Sequence, residues 1–154
     1  MAIDWKKYKP LLKYHRIFVL SIVFSYILIK YAGAGNNDTY DNGQLKYEGR
    51  HEGGFNEGRW IWYYPNGKKQ MEGTFKHSKR IGKWSTWNNS EILITERNYE
   101  DDKLNGAFRD WYDNGNRKGE GNYINDQLHG EIKMYKEDGT ILSIEQFNNG
   151  IKIK

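Results

Sequence analysis

GRWIWYYPNGKKQMEGTFKHSKRIG, residues 58–82, aligns without a gap on GAFRDWYDNGNRKGEGNYINDQLHG, residues 106–130, and the offset between neighbouring copies throughout residues 40–154 is 24. Six columns keep that register. Gly58, Gly82, Gly106 and Gly130 form the first, and two positions on stand Trp60, Trp84, Phe108 and Ile132. Five positions after each Gly stand Tyr63, Trp87, Trp111 and Tyr135. A turn column reads Gly43, Gly67, Glu91, Gly115 and Gly139, an aromatic column Phe75, Tyr99, Tyr123 and Phe147, and a carboxylate column Glu48, Glu72, Glu96 and Glu120. A fixed period with no insertion is the signature of a repeat architecture, in which each unit buries its apolar side chains against its neighbours.

Each unit resolves into two strands. Asn42-Gly43, Asn66-Gly67, Asn114-Gly115 and Asp138-Gly139 carry the residue pairs favoured in two-residue type I′ hairpins, so the tightest turns are expected there. A second turn region falls at Asp101-Asp102, Asn125-Asp126 and Asn149-Gly150 in the later units, and is less sharply marked around His77-Ser78 and Gly53-Gly54. Consecutive hairpins then pair antiparallel into one single-layer meander, four full units and a terminal half unit. Asn88-Asn89-Ser90-Glu91 replaces the Asn-Gly turn in one unit and is followed by Ile92-Leu93-Ile94, which predicts a looser turn and a more buried strand. Lys152 and Lys154 are expected to charge the terminal edge strand against pairing with another chain.

Composition agrees with short strands and tight turns: 17 Gly against 2 Pro, with 6 Trp, 12 Tyr and 6 Phe. There is no Cys, which removes disulfides, thiolate metal sites and cysteine nucleophiles. The net charge of +4 is unevenly placed, because residues 1–34 hold six Lys or Arg against Asp4 alone and the remainder is slightly acidic. Nucleic acid is therefore not an expected partner, since phosphate binding needs clustered cations.

The amino-terminal 34 residues form a separate signal or anchor segment, joined to the repeats by a linker at 35–39. Its centre is an uncharged run of 13 residues, Ile17, Phe18, Val19, Leu20, Ser21, Ile22, Val23, Phe24, Ser25, Tyr26, Ile27, Leu28 and Ile29, expected to be helical. Read as a secretory signal, it has a basic leader and small residues at Ala32 and Ala34 that match an A-x-A cleavage pattern. Read as an uncleaved anchor reaching Ala34, it is short, and Lys30 and the flanking tyrosines would have to sit in the interface. Both readings leave the repeats outside the cytoplasm, either membrane-anchored or released.

An enzyme needs convergent groups. His51, His77 and His129 fall in three different columns and His15 precedes the apolar run, so the repeat brings no two together, and no catalytic residue, metal site or cofactor is expected. The carboxylate column, with equal positions stacked roughly 10 Å apart, reads either as an acidic stripe for a basic partner or as a solvated row paired with Arg59, Lys83 and the lysines at 46, 68 and 69. Trp84 and Trp87, three apart, should lie on opposite faces, making both faces aromatic. The partner-binding candidates are therefore Trp60, Trp84, Trp87, Trp111, Tyr63 and Tyr135, with Glu48, Glu72, Glu96 and Glu120 beside them.

Gly-x-[Trp/Phe/Ile]-x-x-[Trp/Tyr], then Asn-Gly, then Glu-Gly-x-[Phe/Tyr], resembles the variant MORN repeat of bacterial YwqK-like antitoxin proteins, on residues 58–82 and 106–130 above all. The resemblance covers residues 40–154. It implies a hairpin-repeat sheet and, for the antitoxin branch, neutralisation of a partner toxin by direct binding. More broadly, MORN repeats look like scaffolds for protein or membrane contact, which gives the alternative of a structural, membrane-associated scaffold of the cell envelope.

Overall fold

The computed structural model describes residues 38–153. The expected helix over Ile17–Ile29, the Ala32 and Ala34 pattern and most of the linker lie outside these residues.

Among the described residues the fold is one open antiparallel meander with no helix. Its strands are β1 (Tyr47–Glu52), β2 (Phe55–Tyr63), β3 (Lys69–Lys76), β4 (Lys79–Trp87), β5 (Leu93–Glu100), β6 (Lys103–Leu104), β7 (Gly106–Trp111), β8 (Arg117–Ile124), β9 (Gln127–Leu128), β10 (Gly130–Tyr135), β11 (Ile141–Asn148) and β12 (Ile151–Lys152). Hydrogen bonding runs β1-β2-β3-β4-β5-β7-β8-β10-β11-β12, with β6 on β5 and β9 on β8. β6 and β7 are two pieces of one strand broken at Asn105, and β9 and β10 two pieces of another broken at His129.

The two kinds of turn are the reverse of the expectation. Tight two-residue loops with both central residues at positive φ lie at Gly53-Gly54, His77-Ser78, Asp101-Asp102, Asn125-Asp126 and Asn149-Gly150. At Asn42-Gly43, Asn66-Gly67, Asn114-Gly115 and Asp138-Gly139 only the glycine has positive φ. There Gly67 N–H donates to the Tyr64 carbonyl and Tyr64 N–H to the Lys68 carbonyl, closing a wider loop whose extra residue appears as a register slip between Trp62 and Tyr63. This is a turn followed by a left-handed glycine bulge, which Asn-Gly serves as well as it serves type I′.

Three of the tight loops, at His77-Ser78, Asp101-Asp102 and Asn125-Asp126, contain no glycine, and each is tied to the unit before it. Ser78, Asp102 and Asp126 accept, through their side chains, the N–H groups of Asn56, Arg80 and Leu104 at 2.8, 3.0 and 2.7 Å. Their own N–H groups donate back to the carbonyls of the same three residues. Two reciprocal bonds per turn offset the cost of left-handed backbone at a non-glycine residue.

The unit at Asn88 keeps the common loop: Glu91 N–H donates to the Asn88 carbonyl and Asn88 N–H to the Ile92 carbonyl, both at 2.9 Å. The turn is no looser; Glu91 is simply held at φ 66 where the other units have glycine. Nor is the following strand more buried, since Leu93–Tyr99 are half-buried throughout.

A column of hydroxyls links the wide loops. Tyr40, Tyr64 and Tyr112 donate to the carbonyls of Tyr63, Trp87 and Tyr135, each 23 residues on, at 2.8–2.9 Å. Each unit is thus fastened to the next along both margins of the sheet.

The core is thin: Trp60, Ile61, Trp84, Phe108 and Ile132 are its buried apolar side chains. The rings rest on glycine. A Cβ at Gly49 would fall 2.1 Å from the Trp60 ring, and one at Gly73 2.1 Å from the Trp84 ring. Only a residue without a side chain lets an indole lie this close to the neighbouring strand.

Candidate functional site

The pleat sorts the candidate residues onto two faces. On the first face Trp60 and Trp84 are 4% and 6% exposed, enclosed by rings from adjoining strands. Phe75 meets Trp84 edge-on at 4.9 Å between ring centres, with Trp62 at 5.6 Å and Tyr99 at 6.1 Å. Trp60 is flanked by Tyr47, His51 and Trp62. These rings hold the sheet's interior, and Trp84 also forms the floor of an open groove.

That groove, about 360 Å³, is lined by Trp62, Met71, Phe75, Trp84, Thr95 and Tyr99 among others, with Arg80 and Arg97 at its rim. Arg80 lies 4.1 Å over the Tyr99 ring and is held by Asp102 at 2.9 Å. Arg97 pairs with Asp110 at 2.7 Å and covers the Phe108 ring at 5.2 Å. Both guanidiniums are committed to carboxylates and rings, so the groove presents an apolar floor with a neutralised rim.

The second face carries Tyr63, Trp87, Trp111 and Tyr135, all half-buried, and the four carboxylates. Strand register places the carboxylates in one line across the sheet. Glu48 faces Ile61, which faces Glu72; the line continues through Ser85, Glu96, Arg109, Glu120 and Lys133 and ends on Ile144. Between carboxylates the first half of the line has an apolar and a small residue, while the second half has cations in direct opposition.

Where Ile61 and Ser85 leave a gap, cations reach in from the diagonal. Glu72 accepts from Arg59 and Lys69, both at 2.6 Å, and the Arg59 bond above all holds its carboxyl down to about 2. Glu96 is paired with Lys83 at 3.0 Å and Arg109 at 3.4 Å. Glu120 accepts the Tyr135 hydroxyl at 2.8 Å, which raises that phenol's pKa, and lies 3.7 Å from Arg117. Burial first, and then the Glu48 carboxylate, raise the pKa of the Tyr63 phenol. The row is therefore charge-compensated across strands, with no bare acidic stripe over Glu72, Glu96 and Glu120. The rings beside it are capped by cations, Lys69 at 4.9 Å from Trp87 and Arg117 at 4.6 Å from Trp111.

Sequence columns missed Arg109 and Lys133, because their column reads Ile61, Ser85, Arg109, Lys133 and has no common chemistry. They named Phe75, Tyr99 and Trp84 of the groove but not Trp62, Met71 and Thr95, because Met71 and its copy Thr95 share a column without common chemistry. The histidines lie apart: His51 stands against Trp60 and His77 beside Glu57 at 3.3 Å. Among the described residues no three His, Cys, Asp or Glu side chains gather as a metal would require.

Comparison with known families gives a match to the MORN repeat variant at three places, residues 56–77, 104–125 and 128–149. Three segments of the chain are thus similar to the variant MORN repeat, and MORN repeats are often protein- or membrane-binding modules. No curated protein matches it. Among solved structures, a GtfA/B complex bound to UDP and GlcNAc is similar over 72% of this chain at 10% identity with a TM-score of 0.28. The match spans 22% of that chain's length, and so slight a likeness bears on neither fold nor function.

Proposed function

We propose that the repeats form a non-catalytic protein-binding surface, carried outside the cytoplasm by the amino-terminal segment, and that the bound partner is a toxin neutralised by direct contact. The observation that supports binding is the groove over Trp84. It is an open, mostly apolar recess with room for a large side chain, on a sheet too thin to cover its own rings, and such recesses anchor partner side chains. The repeats recognised in the chain belong to a class used for contact rather than chemistry. Export rests on the basic leader and uncharged run at residues 17–29, and toxin neutralisation on the resemblance to the antitoxin repeats.

In this reading a partner's aliphatic or aromatic side chain enters between Trp62, Phe75 and Tyr99, with Trp84 beneath it. Tyr63, Trp87, Trp111 and Tyr135 with the Glu48, Glu72, Glu96 and Glu120 row form the opposite face, which offers a second, more polar contact surface. Affinity capture with the full chain separates the two: Trp62→Ala abolishes capture if the groove is the anchor, whereas Trp87→Ala and Trp111→Ala leave it. The converse pattern assigns the partner to the charged face. If each folded variant captures as the native chain does, neither face is the site. Protease added to intact cells tests the orientation, because repeats cut only after lysis would contradict it. Retention by protein-free anionic vesicles after deletion of residues 1–34 would favour the envelope-scaffold alternative.

A further inference from the structure

The column that begins at Arg59 reads Arg59, Lys83, Ala107 and Glu131, and its third member leaves a space. Strand pairing puts the first three in equivalent places: Arg59 faces Thr74, Lys83 faces Asn98 and Ala107 faces Asn122. Each therefore lies diagonally from a member of the carboxylate column. Across that diagonal Arg59 reaches Glu72 at 2.6 Å and Lys83 reaches Glu96 at 3.0 Å. Ala107 is exposed and has no donor to offer Glu120.

Glu120 is paired differently in consequence. Its Oε1 accepts the Tyr135 hydroxyl at 2.8 Å, while Oε2 has Arg117 at 3.7 Å, too long for a hydrogen bond. The two cations directly opposite Glu120 turn elsewhere, Arg109 to Glu96 at 3.4 Å and Lys133 to Glu131 at 3.0 Å. A recess of about 230 Å³ opens here on the charged face, lined by Ala107, Arg109, Glu120, Gly121, Glu131 and Lys133 among others. We propose that this recess receives an arginine or lysine side chain of a partner protein, whose charged end pairs with Glu120 Oε2. The earlier units supply the pattern for the ligand: the same diagonal holds a guanidinium in one and an ammonium in the next. Glu131, where the column reverses sign, adds a second carboxylate to the wall that an entering cation meets. Charge-assisted bonds of this kind orient a partner and select a cation over a neutral side chain. The proposal rests on the reading of the repeats as a protein-binding surface, and it adds to the Trp84 groove a separate contact on the opposite face.

The amides of N-acetyl-arginine and N-acetyl-lysine stand in for the partner's side chain. Each is titrated into the isotope-labelled full chain in nonionic detergent micelles and followed through the backbone amide resonances. Saturable shifts at Ala107, Glu120 and Gly121 are expected in the millimolar range, with none from the neutral N-acetyl-citrulline amide. Glu120→Gln is expected to abolish them. Ala107→Arg is expected to abolish them too and to raise the unfolding midpoint, because the new guanidinium fills the recess from within. Trp62→Ala leaves them unchanged, so failure of the groove as an anchor and failure of this site are read separately. No saturable shift from either cation, equal shifts from the citrulline amide, or binding that survives Glu120→Gln or Ala107→Arg overturns the proposal. Tighter binding of acetate overturns it as well, by making the recess an anion site of Arg109 and Lys133. Free arginine binding more tightly than its blocked amide does the same, by assigning the recess to a small zwitterion.

Discussion

Gly73→Ala adds one methyl group to the sheet, and the structure fixes what that methyl meets. Its Cβ would stand 2.1 Å from Cδ2, 2.2 Å from Cε2 and 2.6 Å from Cε3 of Trp84. Carbon atoms rest at about 3.5–4.0 Å, so the indole has to retreat by roughly 1.5 Å. It is 6% exposed and ringed by Phe75, Trp62 and Tyr99, so moving up toward the open groove breaks its contacts with those rings. Overpacking of this kind costs about 1–3 kcal/mol, and each disturbed ring pair about 0.5–1.5 kcal/mol more. Alanine's smaller loss of chain entropy returns about 0.4–1 kcal/mol. The net expectation is a loss of about 2–3 kcal/mol, or a fall of roughly 10 °C in the unfolding midpoint for a domain of this size.

Urea titration followed by tryptophan fluorescence measures it. The third unit shows the compensating change already in place: Arg97 stands where Gly73 would recur, and Phe108 where Trp84 would. Trp84→Phe is therefore expected to rescue Gly73→Ala, with a coupling of about 1 kcal/mol or more in the double-mutant cycle. A Gly73→Ala protein as stable as the native one, or a cycle with no coupling, would refute the idea that the rings are seated on glycine.

Glu91→Gly, which relieves a left-handed residue, should raise stability by about 0.5–1 kcal/mol after allowing for the exposed Lys68 pair at 3.4 Å, read as a higher thermal midpoint. Tyr64→Phe deletes the hydroxyl that joins two loops and should cost about 1 kcal/mol by chemical denaturation, whereas no change would make that bond incidental. Glu72→Gln tests the carboxylate row through pH. The folded pKa is depressed to about 2, so the stabilisation is fully present above the ordinary carboxylate range and is lost as pH falls through about 2. The native chain should exceed the variant by about 1–2 kcal/mol at neutral pH, after discounting for solvent, and the gap should close toward pH 2. A gap that is independent of pH would assign the effect to something other than ionisation.

Period, strand number per unit and the aromatic character of both faces were legible from Gly58, Trp60, Tyr63 and their copies, because identical neighbours impose identical packing. The choice of loop was not. Asn-Gly is compatible with a two-residue hairpin and with a wider bulged one, and the decision is made by contacts between units. Those contacts run from Ser78, Asp102 and Asp126 to the strand before, and from Tyr64 to Trp87. Sequence columns align like with like and so reveal what stacks two strands away. They do not reveal what lies directly opposite, which is why Arg109 and Lys133 escaped notice among the carboxylates. Of the groove, the rings of Phe75, Tyr99 and Trp84 were legible as columns, while Trp62, Met71 and Thr95 were not, because Trp62 recurs as Thr86 and Met71 as Thr95 with no common chemistry.

The most direct test of the account is photocross-linking in the native cell from a benzophenone side chain placed at Met71, inside the groove. A covalent adduct with one partner protein is expected at Met71 and none from the exposed Lys118 of the same sheet. Adducts at Trp87 or Trp111 with none at Met71, or no adduct at any of the three, would contradict it.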